Sequence, residues 1–120
     1  MEAALNNEDT IFHKIARREI PAELVFEDEH AVAFRDINPV SPTHILVVPK
    51  KTLPSLREAQ DADAKLLGHL LIICAELARR EGIAEDGYRV VVNAGKNAGQ
   101  AVFQLHLHLL GGREFTWPPG

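Results

Sequence analysis

Two histidines lie two residues apart in the stretch AVFQLHLHLL, residues 101–110, whose other residues are mostly those of a buried strand. Because successive side chains of a strand point to opposite faces, the spacing predicts that Gln104, His106 and His108 share one face. The core face would then carry Phe103, Leu105, Leu107 and Leu109. Same-face neighbours lie about 7 Å apart along a strand, so the two imidazoles can grip different atoms of one small ligand.

A glycine-containing loop precedes this strand. In VVVNAGKNAGQA, residues 90–101, Gly95 and Gly99 open a loop whose bare backbone amides can curl around an anion. The loop is neither a P-loop, because no Gly-Lys-Ser/Thr follows, nor a dinucleotide fingerprint, because it leads into a strand. The pattern indicates a phosphate ligand, although glycines between strands also serve simply to turn the chain.

Two other interpretations of the histidines compete with phosphate chemistry. His and Gln are ordinary occupants of the polar outer face of an edge strand. A His-x-His pair with a third ligand from elsewhere, here His44, is also an arrangement that binds catalytic zinc. The chain has no HExxH motif, no second His-x-His and no paired cysteines. The sequence therefore favours phosphate chemistry without a metal or other cofactor.

Hydrophobic periodicity predicts two helices. Asp9 is expected to cap a short helix over residues 10–19 that Pro21 closes. Leucines at helical spacing predict one long helix over residues 61–81, which Gly82 ends.

Alternating apolar runs predict five strands, and the polar turn at Asp28 makes the first two a hairpin. They cover residues 23–28, 31–36, 44–50, 88–93 and 102–110. Strands on both sides of one long helix indicate an α+β domain with a mainly antiparallel sheet. We expect a flexible terminus over residues 1–8 and a single domain over residues 9–120.

Composition narrows the function classes. A chain of 120 residues with 46% hydrophobic composition matches one domain, and its net charge of −4 offers no footprint for a nucleic acid polymer. We find no signal-peptide pattern and no apolar window that could span a bilayer, so we expect no membrane partner. The single cysteine, Cys74, needs no oxidising compartment and lies on the apolar stripe of the long helix. We therefore expect a cytoplasmic protein.

With these residues assembled, the chain resembles the histidine triad (HIT) superfamily, whose signature is His-x-His-x-His followed by apolar residues. The likeness covers residues 9–120 and includes AFRDINP, PTHILVVPK and the ending WPPG. The first and last of these point to the Hint branch of nucleoside phosphoramidases over the diadenosine polyphosphate hydrolases. The resemblance implies a HIT-like fold with one long and one short helix, in which two subunits join their five-stranded sheets as a homodimer.

The resemblance also implies the catalytic roles. His106 falls on the middle histidine, which attacks the α-phosphorus and forms a nucleotidyl-histidine. A neutral imidazole is a fair nucleophile near pH 7, and the phosphoramidate that it forms is labile enough for water to resolve. His108 would hydrogen-bond the phosphate and the leaving group, and His44 would tune the protonation of the triad.

The substrate contacts carried over from the family involve the base, ribose, phosphate and leaving group. Asp36 matches the carboxylate that takes both ribose hydroxyls, although an aspartate before Asn-Pro also suits an Asx turn. Phe115 and Trp117 should be buried somewhere, with Trp117 at the dimer interface or near the leaving group. The full implied set is Phe34, Asp36, Ile37, Asn93, Gly99, Gln100, Ala101, Val102 and Trp117.

Some positions depart from the family pattern. Gln104 replaces the first histidine of the catalytic set, and an amide hydrogen-bonds but does not titrate. Ala101 stands where the branch usually has a serine, so turnover is expected to be lower or leaving-group preference shifted. Thr10 and His13 occupy the places where some members have zinc-binding cysteines, so no zinc is expected there.

Together these features predict a metal-independent hydrolase that cleaves the P–N bond of purine nucleoside phosphoramidates such as those of AMP and GMP. A nucleotide-binding or partner-binding module with vestigial catalysis is the first alternative. A dinucleoside polyphosphate hydrolase and a zinc hydrolase are the others.

Overall fold

A computed structural model describes residues 10–120 and shows five strands and two α-helices. The strands form one sheet in the order β1-β2-β3-β5-β4, in which every neighbouring pair is antiparallel. This confirms the predicted α+β class. In chain order the elements are α1 (Ile11–Ala16), β1 (Leu24–Glu27), β2 (Ala31–Arg35), β3 (Thr43–Pro49), α2 (Ala64–Arg80), β4 (Tyr88–Val91) and β5 (Leu107–Gly111).

The long helix α2 covers one face of the sheet. Its residues Leu70, Ile73, Cys74 and Leu77 recur at helical spacing and are buried against the inward side chains of β2, β3 and β5. The predicted helix begins three residues too early, because Asp61–Asp63 forms a separate 3-10 turn before it. Among residues 10–120, no helix is both long and apolar enough to cross a membrane.

The short helix α1 packs on the opposite face, where Phe12 and Ile15 join an apolar cluster with side chains of β2 and β3. Thr10, rather than the predicted Asp9, is the N-cap residue: its Oγ1 accepts from the His13 backbone N–H at 3.3 Å. Asp9 and the predicted flexible residues 1–8 lie outside the described part of the chain. The helix is also shorter than predicted and ends at Ala16.

The last strand, β5, begins at Leu107, five residues later than predicted. Residues 102–106 precede it as an irregular segment, and Phe103 is 43% exposed rather than part of the core face. The pairing of β3 with β5 ends at Val47 and Leu107, although β3 itself continues to Pro49. The Gln104 side chain instead bonds to the backbone of residues 49–53, and the Leu105 N–H donates to the Leu53 carbonyl at 2.7 Å.

Candidate active site

The pairing of β3 with β5 brings two histidines into contact. His44 lies opposite Leu110 and His108 lies opposite Leu46, so the histidines are diagonal neighbours on one face. His44 Nε2 and His108 Nδ1 are 2.9 Å apart. The antiparallel register therefore assembles residues 64 positions apart in the sequence into one hydrogen-bonded pair.

His106 lies beside this pair, just before β5 begins. Its ring centroid is 5.0 Å from that of His108 and 4.8 Å from that of Phe12, whose ring meets it edge-on. His106 Nδ1 is 2.7 Å from the main-chain oxygen of Gln104. A carbonyl oxygen only accepts hydrogen bonds, so Nδ1 carries the proton and Nε2 keeps its lone pair.

Burial keeps His106 uncharged near neutrality. The side chain is 7% exposed, and desolvation lowers its pKa below the ordinary histidine value. The Gln104 carbonyl and the Asp36 carboxylate oppose that shift, because both stabilise a positive charge on the ring. His106 thus keeps a lone pair on Nε2. If that lone pair forms a bond and the ring becomes positively charged, the Gln104 carbonyl and the Asp36 carboxylate stabilise the charge.

A backbone group sets the tautomers of the other two histidines. The Val40 N–H donates to His44 Nδ1 at 3.1 Å, so neutral His44 carries its proton on Nε2. That proton is donated to His108 Nδ1, which leaves the proton of neutral His108 on its own Nε2. Burial, with smaller effects of His106 and His44, lowers the pKa of His108 to about 4, and burial also lowers the pKa of His44. His108 Nε2–H is therefore a hydrogen-bond donor at neutral pH.

Asp36 has two distinct contacts. Its Oδ1 accepts from the Asn38 N–H at 2.8 Å, which is the Asx turn that the sequence allowed. Its Oδ2 lies 3.5 Å from His44 Nε2. One carboxylate thus shapes the loop after β2 and places negative charge beside the histidines.

Gln104 contributes through its backbone as well as its side chain. The side chain is inaccessible to solvent, and its Nε2 donates to the carbonyls of Pro49 and Lys51 at 3.0 and 2.8 Å. Its Oε1 accepts from the Leu53 N–H at 3.0 Å. Both amide protons are therefore used in bonds to the backbone, and the contact with His106 is made by the main-chain oxygen.

The glycine loop is more self-contained than the sequence suggested. Gly95 and Gly99 adopt positive φ angles of 88° and 78°, which side chains rarely tolerate. Their amides are not bare, however: Gly95 N–H donates to the Gln100 side chain at 2.9 Å and Gly99 N–H to the Lys96 carbonyl at 3.0 Å. Gln100 is itself buried and donates to the carbonyls of Pro54 and Val102. The backbone N–H groups of Gly95 and Gly99 are therefore bonded to acceptors within the loop itself.

The remaining predicted substrate contacts differ in exposure. Phe34 is buried, with its ring centroid 5.5 Å from that of Phe12, whereas Ile37 is 83% exposed at the start of the loop after β2. Trp117, which we expected to be buried, is 81% exposed in this chain, and Phe115 packs under the guanidinium of Arg113. Half-buried Asn93 follows β4, Ala101 is exposed, and Val102 packs against the apolar cluster that contains Phe34.

The site also contains side chains of the types that bind metal ions. Among residues 10–120, the group of ligating side chains that lies close together is Asp36, His44 and His108, whose ligand atoms are within 4.8 Å of one another. His44 would have to bind through Nε2, the atom that carries its proton as long as Val40 N–H occupies Nδ1. This tautomer opposes metal binding. A cysteine-based zinc site does not fit either, because buried Cys74 is the only cysteine in the sequence.

Two contributors to this site were not identified from the sequence. Phe12 was visible only as an apolar residue of a helix, and Val40 contributes a backbone group. The spacing of Pro39 and Pro42 around Val40 was the available signal, because such a loop holds its backbone groups outside regular pairing.

Comparison with known proteins agrees with this architecture. The family model described as the HIT domain matches residues 17–115. An uncharacterized HIT-like protein of Synechocystis is 57% identical over 113 residues, covering 94% of this chain and 98% of the relative. A 14 kDa zinc-binding protein of Zea mays is 51% identical over 124 residues, covering 99% and 96%.

Among solved structures, an HIT family hydrolase from Legionella pneumophila has a TM-score of 0.91 and 51% identity, covering 93% of this chain and all of that one. A histidine triad protein from Clostridium difficile has a TM-score of 0.85 and 42% identity, covering 88% and 92%. The matched sequence and the matched fold extend over nearly the whole chain. The protein therefore belongs to the HIT family.

Proposed function

We propose that this protein is a nucleoside phosphoramidase of the Hint branch, a hydrolase that cleaves the P–N bond of purine nucleoside phosphoramidates. The observation that supports this most directly is the contact between His106 Nδ1 and the Gln104 carbonyl, which leaves the Nε2 lone pair for attack. Family membership supports nucleotides as the substrate class, and the AFRDINP and WPPG motifs support the branch.

In the proposed reaction, His106 Nε2 attacks the α-phosphorus and the new N–P bond forms as the P–N bond to the amine breaks. The amine leaves as a neutral molecule after taking a proton from water, and His108 Nε2–H hydrogen-bonds the phosphoryl group or the departing nitrogen. The hydroxide left by that water then attacks the phosphorus of the nucleotidyl-histidine as the bond from phosphorus to His106 Nε2 breaks, which releases the nucleoside monophosphate and restores neutral His106.

Two groups of the site would stabilise the positive charge of the nucleotidyl-histidine intermediate. Bonding of Nε2 to phosphorus makes the ring cationic, since Nδ1 keeps its proton. The Gln104 carbonyl accepts that proton's hydrogen bond, and the Asp36 carboxylate favours the cation, as their effects on the pKa of His106 indicate. Burial therefore keeps the nucleophile neutral before attack, and these two groups stabilise it afterwards.

Substrate binding is proposed from the family motifs. Asp36 would take the ribose hydroxyls through Oδ2, since its Oδ1 is committed to the Asx turn. The other proposed contacts are Phe34 and Ile37 for the base, Asn93 and residues 99–102 for the phosphate, and Trp117 for the leaving group.

We also propose that two copies join through β4, which is an edge strand of the sheet. Edge strands present unpaired backbone groups, and pairing with a second copy satisfies them. Exposed apolar side chains of α2, Leu71 and Ile72, and the exposed Trp117 would gain cover in such a dimer. Sedimentation analysis of the wild-type protein tests this directly, with a monomer at micromolar concentration as the contrary result.

The activity is tested with adenosine and guanosine phosphoramidates, with and without a chelator. We expect wild-type protein to turn over both and to form an acid-labile nucleotidyl adduct, and His106→Ala to bind AMP without turnover. His30→Ala is the matched control, because His30 is an exposed histidine in the turn between β1 and β2. Undiminished hydrolysis by His106→Ala, or loss of activity on chelation, would refute the proposal.

The second candidate function is a nucleotide-binding module with vestigial catalysis. It is favoured by the commitment of the Gln104 side chain to backbone partners, which removes a titratable group from the site. Binding of AMP with no adduct and no turnover in the same assay would establish it. A diadenosine polyphosphate included in the substrate panel separates the polyphosphate hydrolases, which would prefer that substrate.

A further inference from the structure

The backbone of Val40 is held from two sides. Its N–H donates to His44 Nδ1 at 3.1 Å, and its carbonyl accepts from Arg113 Nε at 3.1 Å. The Val40 side chain is 57% exposed and so contributes little packing that would fix the residue. The position of the N–H that sets the His44 tautomer thus depends on the contacts of the Val40 backbone.

Arg113 is well placed to hold that backbone. It follows β5 by two residues, and its Nη1 donates to the Glu114 carbonyl at 2.9 Å while its guanidinium lies 4.3 Å from the Phe115 ring centroid. The strand that carries His108 therefore leads directly into the residue that anchors Val40. The chain segment from His108 to Arg113 is short, so the bond from Arg113 to Val40 opposes movement of Val40 relative to His108.

We propose that Arg113 is a positioning residue that fixes the Val40 backbone and thereby sets the tautomers of His44 and His108. The catalytic consequence rests on the proposed function, but the tautomers themselves do not. If the Val40 N–H is withdrawn, His44 is free to carry its proton on Nδ1 and to accept on Nε2. His108 must then donate from Nδ1, which leaves its Nε2 without the proton needed at the phosphate or leaving group.

Two substitutions separate the hydrogen bond from the other contacts of Arg113. Gln carries its Nε2 at the same point along the side chain as Arg Nε, so Arg113→Gln retains the donor. Arg113→Met places a methyl group there and removes the donor, while both variants lose the guanidinium. Arg89→Met is the control, because Arg89 also lies over Phe115 and donates to the Thr116 carbonyl but bonds to neither group of Val40.

The readout is ¹⁵N NMR of the imidazole nitrogens at neutral pH, without substrate. We expect the wild-type, Arg113→Gln and Arg89→Met proteins to show His44 and His108 each protonated on Nε2. Arg113→Met should show the two nitrogen signals of each ring moving towards each other, with kcat about tenfold lower and KM within about twofold. A wild-type pattern in Arg113→Met, or His44 protonated on Nδ1 in the wild-type protein, would overturn the proposal.

A second measurement needs no variant and so covers a failure of Arg113→Met to fold. The Val40 amide of the wild-type protein should be protected from hydrogen exchange, and exchange at the rate of an unbonded amide would overturn the proposal. If the tautomers respond as expected but phosphoramidates are not hydrolysed, the positioning role stands and the proposed function fails.

Discussion

His106 donates its Nδ1–H to the main-chain carbonyl of Gln104 at 2.7 Å, so the nucleophile proposed here is supported by the backbone of the residue that departs from the triad. Any residue at position 104 supplies such a carbonyl. The side chain of Gln104 has another task, because its three hydrogen bonds hold the segment that follows β3 against the segment that precedes β5.

Gln104→Leu should therefore affect stability more than chemistry. The change leaves the carbonyls of Pro49 and Lys51 and the Leu53 N–H without their partner, and we expect the free energy of unfolding to fall by about 3 kcal/mol. Under conditions where the variant stays folded, kcat/KM should fall less than tenfold. Urea denaturation and steady-state kinetics on the same preparation check both expectations.

Gln104→His serves as the comparison for that variant. A neutral imidazole has one donor and one acceptor for the three backbone partners, so its stability should lie between those of the wild-type and Leu variants. A large rise in kcat in Gln104→His without loss of stability would contradict the structural role assigned to this amide.

Ala101→Ser tests the other departure from the family pattern. Ala101 is exposed between the glycine loop and the histidine segment, so a hydroxyl can be added there without displacing core atoms. If it reaches the phosphate, kcat/KM should rise about tenfold, which corresponds to about 1.4 kcal/mol and suits a hydrogen bond to a charged group. The matched control is Ala98→Ser in the same exposed loop, and an equal change in the two variants would argue against a phosphate contact at position 101.

The histidine cluster predicts a loss of stability in mild acid. Folding lowers the pKa of His108 to about 4, and the unfolded chain binds the proton near the ordinary value of 6.5. The unfolded state therefore holds more protons between these values, and stability falls as pH falls through this window. At pH 4, this proton uptake by His108 in the unfolded state lowers the free energy of unfolding by an amount on the order of 3 kcal/mol.

That pH effect is measured by urea denaturation at pH 7 and pH 5, a range in which ordinary carboxyl groups remain largely ionised. His108→Asn removes one titrating ring and should show a smaller difference between the two pH values than the wild-type protein. Equal differences in the two proteins would mean that His108 is not held neutral by folding.

Much of the scaffold was predictable because its signals are local. Alternating apolar residues identified β1 to β4 to within a few residues, and the leucine spacing identified α2. The start of β5 was not predictable, because the alternating pattern continues back to Val102 while the pairing with β3 ends at Val47 and Leu107. A side-chain amide that replaces a backbone ladder leaves no trace in hydrophobic periodicity.

In the candidate site, likewise, the residue types were predictable from the sequence and the hydrogen bonds were not. His44, His106 and His108 were identifiable from residue type and order, and the structure brings their rings together. The bonds that decide which nitrogen carries each proton come from main-chain groups of Val40 and Gln104, and main-chain groups are the same in every residue. The same limit explains the glycine loop, whose amides find acceptors within the loop itself.

The boundary of β5 also separates the two triad histidines by the support of their backbone, since His108 lies within the sheet and His106 lies outside it. His108 is held between Leu46 of β3 and Val91 of β4 by the sheet, whereas His106 stands one residue before the first pair of the ladder. A covalent step requires the attacking nitrogen to close from a contact of about 3 Å to a bond length. In the proposed reaction, His106 would make that approach and return without breaking a ladder hydrogen bond, and His108 would align the phosphate from its place in the sheet.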